Sequence, residues 1–285
     1  MILKSYAKIN LYLQLCGKNK FNYHLLDSLF AYTSLYDLLE LEKSYKDDHQ
    51  IIANYDLELT ENIIYKSFKV FEQKYNLHNS QKFTVKQHKN IPIGAGLGGG
   101  SSNAAAILNF LYKFYGIAED LQGKINLALE LGADLPFFCT PYSKYVTGIG
   151  EEFGRNVTFP DLPLIIVKPP ANLLTKDVFS KVSRKDYSGN LKHKPSDLSK
   201  LENFWQLLAE TKNDLTNVAT SLCPELEQLL AIAEQDADVI GRLTGSGPSC
   251  YFLCKTDEKC ESLYQEIKQN FPDYYIYEGF LREAV

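Results

Sequence analysis

The sequence predicts an α+β fold in two lobes. Strand-like and helix-like segments are mixed along the chain without the strict alternation of a doubly wound protein. A glycine-rich loop leads directly into an alanine-rich helix, and the prolines of "TFPDLPLIIVKPP" mark a change in composition after Arg155. We therefore expect an N-terminal domain over residues 1–155 and a C-terminal domain over residues 156–285.

Composition excludes several classes of protein. The 285 residues can form two domains, and 45% hydrophobic with 23% charged residues is ordinary for a globular chain. The net charge of −5 and the lack of a basic block argue against a nucleic-acid partner. The longest apolar runs, such as "LPLIIV", are too short to span a bilayer, and Lys8 and Asn10 interrupt any signal-peptide core. The sequence predicts a cytoplasmic protein, with no membrane or protein partner implied.

The six cysteines do not have the spacing of a metal site. They form no Cys-x-x-Cys pair, and no metal-spaced histidines follow them, which argues against zinc. Cys250 and Cys254 alternate with large apolar residues in "CYFLC", so we expect reduced thiols in a buried strand.

Residues before the glycine loop read mainly as strands. "SYAKINLYLQL" alternates, which places the polar side chains of Lys8 and Asn10 on one face of a strand. "YDLLELEKS" and "KFTVKQHK" predict further strands. Between them, "ENIIYKSFKVFEQKYN" predicts an amphipathic helix, with a buried side formed by Ile63, Ile64, Phe68 and Phe71.

Helices dominate after the loop. We expect one helix from about Ser102 to Tyr115, capped by Ser101, Ser102 and Asn103, and a second from Leu121 to Leu131. Gly132 would end the second helix in a left-handed conformation. The C-terminal half predicts helices at 201–210, 224–234 and 259–271, strands at 250–254 and 274–281, and a polar surface connection at 183–199.

The stretch "IPIGAGLGGGSSNAAAIL" has five glycines within seven residues, a pattern that predicts an anion as its ligand. A Walker A loop fails because no lysine lies between Lys89 and Lys113. A flexible linker would not usually lead straight into a helix. Glycines leave the backbone amides open, and the N-terminus of the following helix adds partial positive charge. Together they predict a phosphate-binding loop.

A dinucleotide site is a weaker interpretation of the same loop. Gly94, Gly96 and Gly99 satisfy Gly-x-Gly-x-x-Gly, but the fingerprint also needs an acidic residue at a strand end about twenty positions on. Glu119 and Asp120 fall near that distance, in a turn before a helix.

The loop resembles the second signature of the GHMP kinases, the superfamily of galactose, homoserine, mevalonate and phosphomevalonate kinases. The resemblance extends in order over nearly the whole chain, through "AKINLYL", "YHLLDSLF", "ENII", "GADLPFF" and "LTGSGPSCYF". It implies a two-lobed GHMP-kinase-like architecture, with an N-terminal nucleotide-binding lobe, a C-terminal α+β lobe and the active site between them. The "TGSGPS" stretch would pack beside the first loop.

Within the superfamily, the motifs are most similar to the branch that phosphorylates the 2-hydroxyl of 4-diphosphocytidyl-2-C-methyl-D-erythritol, in non-mevalonate isoprenoid biosynthesis. The resemblance implies ATP as phosphoryl donor and Mg²⁺ as cofactor. Another member acting on mevalonate, homoserine or a sugar is the nearest alternative, and "NYHLLDSLF" argues against it. A non-catalytic ATP sensor is a further alternative. A dehydrogenase comes third.

The resemblance also implies roles for individual residues. Asp134 would align the acceptor hydroxyl and accept its proton, and Lys8 would offset developing charge. Taken alone, Asp134 could be a turn residue and Lys8 a solvated strand lysine. The acceptor would contact Asn10, Tyr23, His24 and Phe179.

The nucleotide side of the predicted site is the glycine loop. Asn62 would lie by the adenine or simply cap its helix, and Ser102 is the candidate magnesium ligand. "Phe21-Asn22" replaces the Asp-Gly usual in the family, and Asn22 suits the left-handed turn conformation. The loop residues assigned to ATP are Pro92, Ile93, Gly94, Ala95, Gly96, Leu97, Gly98, Gly99, Gly100, Ser101 and Ser102.

Overall fold

The computed structural model describes residues 1–55, 57–77, 79–118, 120–195, 197–234 and 236–285. Its contacts divide the chain into two compact units. The first contains residues 1–7, 36–91 and 98–141, and the second contains 8–35, 92–97 and 142–285. Both units combine strands with helices, which confirms the α+β prediction. Both are discontinuous in sequence, and the boundary at residue 155 stays a prediction.

The first unit contains one portion of a ten-stranded β-sheet. It contains the second half of β2 (His24–Ser44), β3 (Gln50–Ala53) and β4 (Lys82–His88). β4 pairs antiparallel with β2 and parallel with β3. Buried and half-buried side chains alternate along most of β4, as the pattern "KFTVKQH" predicts for a strand with one covered face.

The helices of the first unit are α1 (Ile63–Lys74), α2 (Gly99–Phe114) and α3 (Leu121–Leu131). α1 buries Ile64, Phe68 and Phe71 as predicted, whereas Ile63 is only half-buried. α1 packs against α2. A short 3-10 helix, Leu135–Cys139, follows α3.

The sequence predicted the bounds of α3 and a left-handed glycine at its C-terminal end. The predicted bounds are confirmed, but Gly132 is not left-handed: its φ is 167°, an extended conformation. The Gly132 N–H still bonds to the Ala128 carbonyl, so the helix ends without a left-handed turn. Asp120 caps the first turn of α3 by accepting from Gln122 N, while Glu119 lies outside the described residues.

The second unit is built on an antiparallel sheet. β1 (Ile2–Lys18) lies mostly in this unit, as does the first half of β2. β7 (Leu162–Lys168) pairs on one side with β10 (Tyr275–Arg282) and on the other with β9 (Cys250–Cys254), which also pairs with β8 (Val239–Leu243). All residues of β7 are buried, which explains the continuous apolar run "LPLIIV". The strands are β5 (Lys144–Thr147), β6 (Glu152–Asn156), β7 (Leu162–Lys168), β8 (Val239–Leu243), β9 (Cys250–Cys254) and β10 (Tyr275–Arg282).

Helices complete the core of the second unit. The bounds predicted for α5 (Leu201–Glu210) are confirmed, whereas α7 (Glu225–Ala231) is shorter than its predicted range and α8 (Asp257–Asn270) begins two residues early. α4 and α6 were not predicted, because seven residues are too few for a clear periodic pattern. The helices are α4 (Thr175–Lys181), α5 (Leu201–Glu210), α6 (Thr216–Leu222), α7 (Glu225–Ala231) and α8 (Asp257–Asn270).

The cysteines behave as predicted. Cys250 and Cys254 are fully buried in β9, and all six cysteines have free thiols. Among the described residues, no helix combines the length and the apolar character needed to cross a membrane.

Candidate functional site

The glycine loop alternates between two backbone conformations. Gly94, Gly96 and Gly98 have φ values of 66°, 71° and 69°, in the left-handed region, while Ala95 and Leu97 between them have negative φ. Left-handed residues alternating with others are typical of backbone nests, in which successive N–H groups turn toward one side. A side chain at the three glycines would be strained, which is the physical reason for their spacing.

Other segments of the second unit contact residues 94–97 of the loop. Ala95 and Leu97 are buried, and the Lys8 N–H donates to the Leu97 carbonyl at 3.0 Å. A Cβ on Gly96 would lie 3.2 Å from the Gly247 carbonyl oxygen and 3.3 Å from that of Thr244. The prediction that "TGSGPS" packs beside the loop is therefore confirmed.

The start of α2 differs from the prediction. Gly98, in the left-handed conformation, is the N-cap, and no side chain caps the helix. Because Gly98 can adopt φ 69°, the helix begins three residues earlier than predicted, and Ser101, Ser102 and Asn103 are its third, fourth and fifth residues. The N–H groups of a first turn have no acceptor within the helix, so this end suits an anion.

Ser102 meets part of the requirement for a magnesium ligand. Ser102 Oγ is buried, 3.0 Å from Ser5 Oγ, and Ser5 Oγ lies 2.6 Å from Asn103 Oδ1. When Ser5 gives its single proton to Asn103, Ser102 donates to Ser5 and keeps its lone pairs. Within the described ranges, no group of three or more His, Cys, Asp or Glu side chains could hold a metal ion. The residues fit an ion that arrives with nucleotide phosphates, with no dedicated protein cage.

Asn62 caps α1. Its Oδ1 accepts from the Ile64 N–H at 2.9 Å, and the residue is buried. The helix-cap alternative is therefore confirmed, and the contact with adenine stays a prediction.

Asp134 is the N-cap residue immediately before the 3-10 helix and is half-buried. Its carboxylate makes no capping hydrogen bond to that helix. Pro136 fixes the backbone just beyond it. Its catalytic role stays a prediction.

Lys8 is not a solvated strand lysine. It is 3% exposed, its Nζ lies 2.8 Å from Asn10 Oδ1, and the ring centroid of Phe30 is 4.4 Å away. Asn10 is itself fixed, because its amide donates to Ser28 Oγ and its backbone N–H to Thr244 Oγ1. The predicted polar face of β1 is thus buried. On it, the ammonium group of Lys8 is positioned by the amide oxygen of Asn10 and the aromatic ring of Phe30.

Two predicted acceptor residues lie together. The ring of His24 is 5.3 Å from that of Phe179 and 5.9 Å from that of Tyr187, whose hydroxyl lies 3.0 Å from His24 Nδ1. Burial and the nearby Lys18 lower the pKa of His24, so the ring is neutral at neutral pH. Sequence reasoning missed Tyr187, because nothing in the local pattern marks it out.

The turn before His24 keeps its shape despite the change in sequence. Asn22 has φ 68°, so it does adopt the left-handed conformation that glycine would supply. Phe21 is 68% exposed and Tyr23 61% exposed. The bulk of Phe21 therefore lies in solvent and does not fill the space near His24.

The segment that carries Tyr187 is more than a surface connection. The Leu191 N–H donates to Asp27, and Ser188 donates to Asp214 through both its N–H and its hydroxyl. Both carboxylates are buried. This polar segment therefore makes hydrogen bonds to buried carboxylates, and its composition alone did not predict them.

The sequence profile of the GHMP kinases N terminal domain matches residues 62–140, and that of the GHMP kinases C terminal matches residues 191–273. The chain belongs to the GHMP kinases. The first match contains Asn62, the whole glycine loop and Asp134, whereas Lys8 and the four candidate acceptor residues lie outside both matches. The family match makes the chain an ATP-dependent small-molecule kinase. Neither profile spans the segment at 141–190.

Individual relatives of this GHMP kinase cover nearly its full length. A 4-diphosphocytidyl-2-C-methyl-D-erythritol kinase of Wolbachia sp. subsp. Drosophila simulans (strain wRi) is 34% identical over 283 residues, covering 96% of each chain. A protein of the same name from Mesorhizobium japonicum is 31% identical, over 95% of this chain and 92% of its own length.

Solved structures agree. A 4-(cytidine 5'-diphospho)-2C-methyl-D-erythritol kinase superposes with a TM-score of 0.82 at 26% identity, covering 99% of both chains. A mevalonate kinase superposes with a TM-score of 0.71 at 17% identity, over 99% of this chain and all of its own, a likeness of fold alone.

Proposed function

We propose that this GHMP kinase transfers the γ-phosphoryl group of ATP to the 2-hydroxyl of 4-diphosphocytidyl-2-C-methyl-D-erythritol. The observation that carries the proposal is the match to relatives of that name over nearly the whole of both chains. The reaction places the protein in non-mevalonate isoprenoid biosynthesis.

The glycine loop and the first turn of α2 bind the phosphates of ATP. Alternating left-handed glycines and an N-terminus without a side-chain cap support this role. Magnesium would offset charge on the phosphates, and the hydroxyl oxygen of Ser102 would be its ligand from the protein. Asn62 contributes to the adenine side while capping α1.

Two residues serve the acceptor hydroxyl. Phosphoryl transfer proceeds through a loose transition state, so positioning and charge stabilisation carry most of the catalysis. Asp134 aligns the 2-hydroxyl and takes up its proton, and Lys8 stabilises negative charge. The buried setting of Lys8, fixed by Asn10, supports that role, because an ammonium group acts more strongly where water is excluded.

The cytosine is recognised by the aromatic group around His24. Stacking of a base on an aromatic ring is worth about 1–3 kcal/mol, and Phe179 and the exposed ring of Tyr23 offer such surfaces. A neutral His24 provides one hydrogen-bonding nitrogen to the base while Tyr187 engages the other.

A cytoplasmic location completes the proposal. Six free thiols in one chain support a reducing compartment.

The test is ADP release with ATP and magnesium, offering 4-diphosphocytidyl-2-C-methyl-D-erythritol, mevalonate, homoserine and galactose in parallel. We expect turnover with the first acceptor alone. Turnover with another acceptor would overturn the assigned substrate, and ATP binding without turnover on any of them would favour a sensor.

A further inference from the structure

A buried carboxylate lies at the base of the glycine loop. Asp37, on β2, has no exposed surface. It accepts hydrogen bonds from Lys89 Nζ at 2.6 Å, from the N–H groups of Asn90 and Ile91 at 2.8 Å each, and from Asn103 Nδ2 at 3.0 Å. We call these five residues the Asp37 network.

The network joins the two ends of the loop. Residues 89–91 immediately precede Pro92, and Asn103 lies in the turn of α2 that follows Gly98–Gly100. Four donors fill the four lone-pair positions of a carboxylate, so every acceptor position of Asp37 is used within the network. Its function is therefore to hold other groups in place.

The Asp37 network matters because ordering a glycine-rich backbone costs conformational entropy. Each glycine has more conformational freedom to lose than any other residue, and a loop ordered only on binding would lose affinity. Amides recognise a phosphate only if they already point at it. Fixing both ends of the loop restricts it before the ligand arrives.

We propose that Asp37 is a positioning residue for the nucleotide phosphates: it fixes the spacing between residues 89–91 and α2 and so orients the loop amides. This inference rests on the proposed role of the glycine loop. The ligand class is a nucleoside di- or triphosphate, and the effect of Asp37 should appear only in the part of the affinity that phosphates contribute.

Asp27 offers a matched control. It too has no exposed surface, and it accepts from Lys194 Nζ at 2.7 Å, from the Leu191 N–H at 3.1 Å and from the Tyr12 hydroxyl at 2.8 Å. Asp27→Asn therefore removes a similar charge from a similar set of partners, none of which belongs to the loop.

The experiment measures the dissociation constants of adenosine, ADP and a non-hydrolysable ATP analogue by calorimetry. Wild type, Asp37→Asn and Asp27→Asn are compared at a temperature where circular dichroism shows each to be folded. In Asp37→Asn we expect ADP and the analogue to bind roughly tenfold more weakly, with the affinity for adenosine unchanged. A tenfold loss of affinity is the size expected when the ligand loses one net hydrogen bond. Asp27→Asn should leave all three constants unchanged.

The outcomes separate the inference from the function on which it rests. Equal weakening of adenosine and ADP in Asp37→Asn, or no change in either, overturns the positioning role. If the wild type binds ADP no better than adenosine, the loop assignment itself fails. Should Asp37→Asn not fold, Asn103→Ala removes one of the four donors, and an unchanged ratio of adenosine to ADP affinity would overturn the proposal.

Discussion

Adjacent glycines at the start of α2 should respond in opposite ways to an added methyl group. A Cβ on Gly99 would lie 2.8 Å from Ile91 Cγ2 and 2.9 Å from Lys89 Nζ. A Cβ on Gly100 would lie 3.7 Å from Ile63 Cγ2, an ordinary contact distance. We therefore compare Gly99→Ala with Gly100→Ala.

Neither neighbour of Gly99 can yield easily. Ile91 is fully buried, and Lys89 is only 12% exposed and paired with Asp37. Overpacking of this kind costs about 1–3 kcal/mol. Replacing a helical glycine by alanine gains about 0.5–1 kcal/mol, and that gain applies to both variants, so it cancels in the comparison. Gly100→Ala should then be the more stable variant by about 1–3 kcal/mol.

The assay is thermal unfolding followed by circular dichroism, with urea unfolding as a second measure. At this chain length, each kcal/mol corresponds to about 2–4 °C in Tm. We expect Gly99→Ala to melt below the wild type and Gly100→Ala at or above it. Equal Tm values for the two variants would refute the packing argument, because only the steric cost distinguishes them.

Further predictions address catalysis, binding and acid stability. Asp134→Asn should keep its affinity for ATP, measured by calorimetry, and lose turnover by orders of magnitude; normal turnover would remove Asp134 from the mechanism. Gly98→Val should weaken ATP binding, because valine is strained at φ 69°; unchanged affinity would contradict the amide cradle. The lowered pKa of His24 means that KM for the acceptor should rise only below about pH 6.5, and Lys18→Met should move that rise to higher pH; a pH profile that does not respond would exclude His24. Burial raises the pKa of Glu72, but hydrogen bonds outweigh it and hold the pKa at about 2. Its contribution to stability is therefore complete above about pH 4.5 and lost as pH falls toward 2, and unfolding of Glu72→Gln across that range should depend less on pH than unfolding of the wild type.

Local patterns predicted the elements that their own residues specify. The bounds of α3 and α5 follow from apolar periodicity with polar ends, and the left-handed Asn22 follows from its own side chain. The start of α2 was misplaced because serine is a common N-cap, whereas here Gly98 turns the chain earlier. Gly132 was assigned by the same kind of residue preference, and its extended conformation shows that glycine permits a left-handed turn without requiring one.

The sequence by itself determined the α+β class and the family, because each depends on residues close together or on motifs in a fixed order. Phosphate binding by the glycine loop stays a prediction. Only the tertiary structure decided which side chains share a site. Asp37 meets Lys89 and Asn103 across 52 and 66 residues, and Tyr187 meets His24 across 163. Strand pairing and core packing bring these side chains into contact, and neither can be read from the spacing of the residues along the chain. Burial likewise converts Lys8 from an ordinary strand lysine into a positioned charge, since exclusion of water strengthens its field.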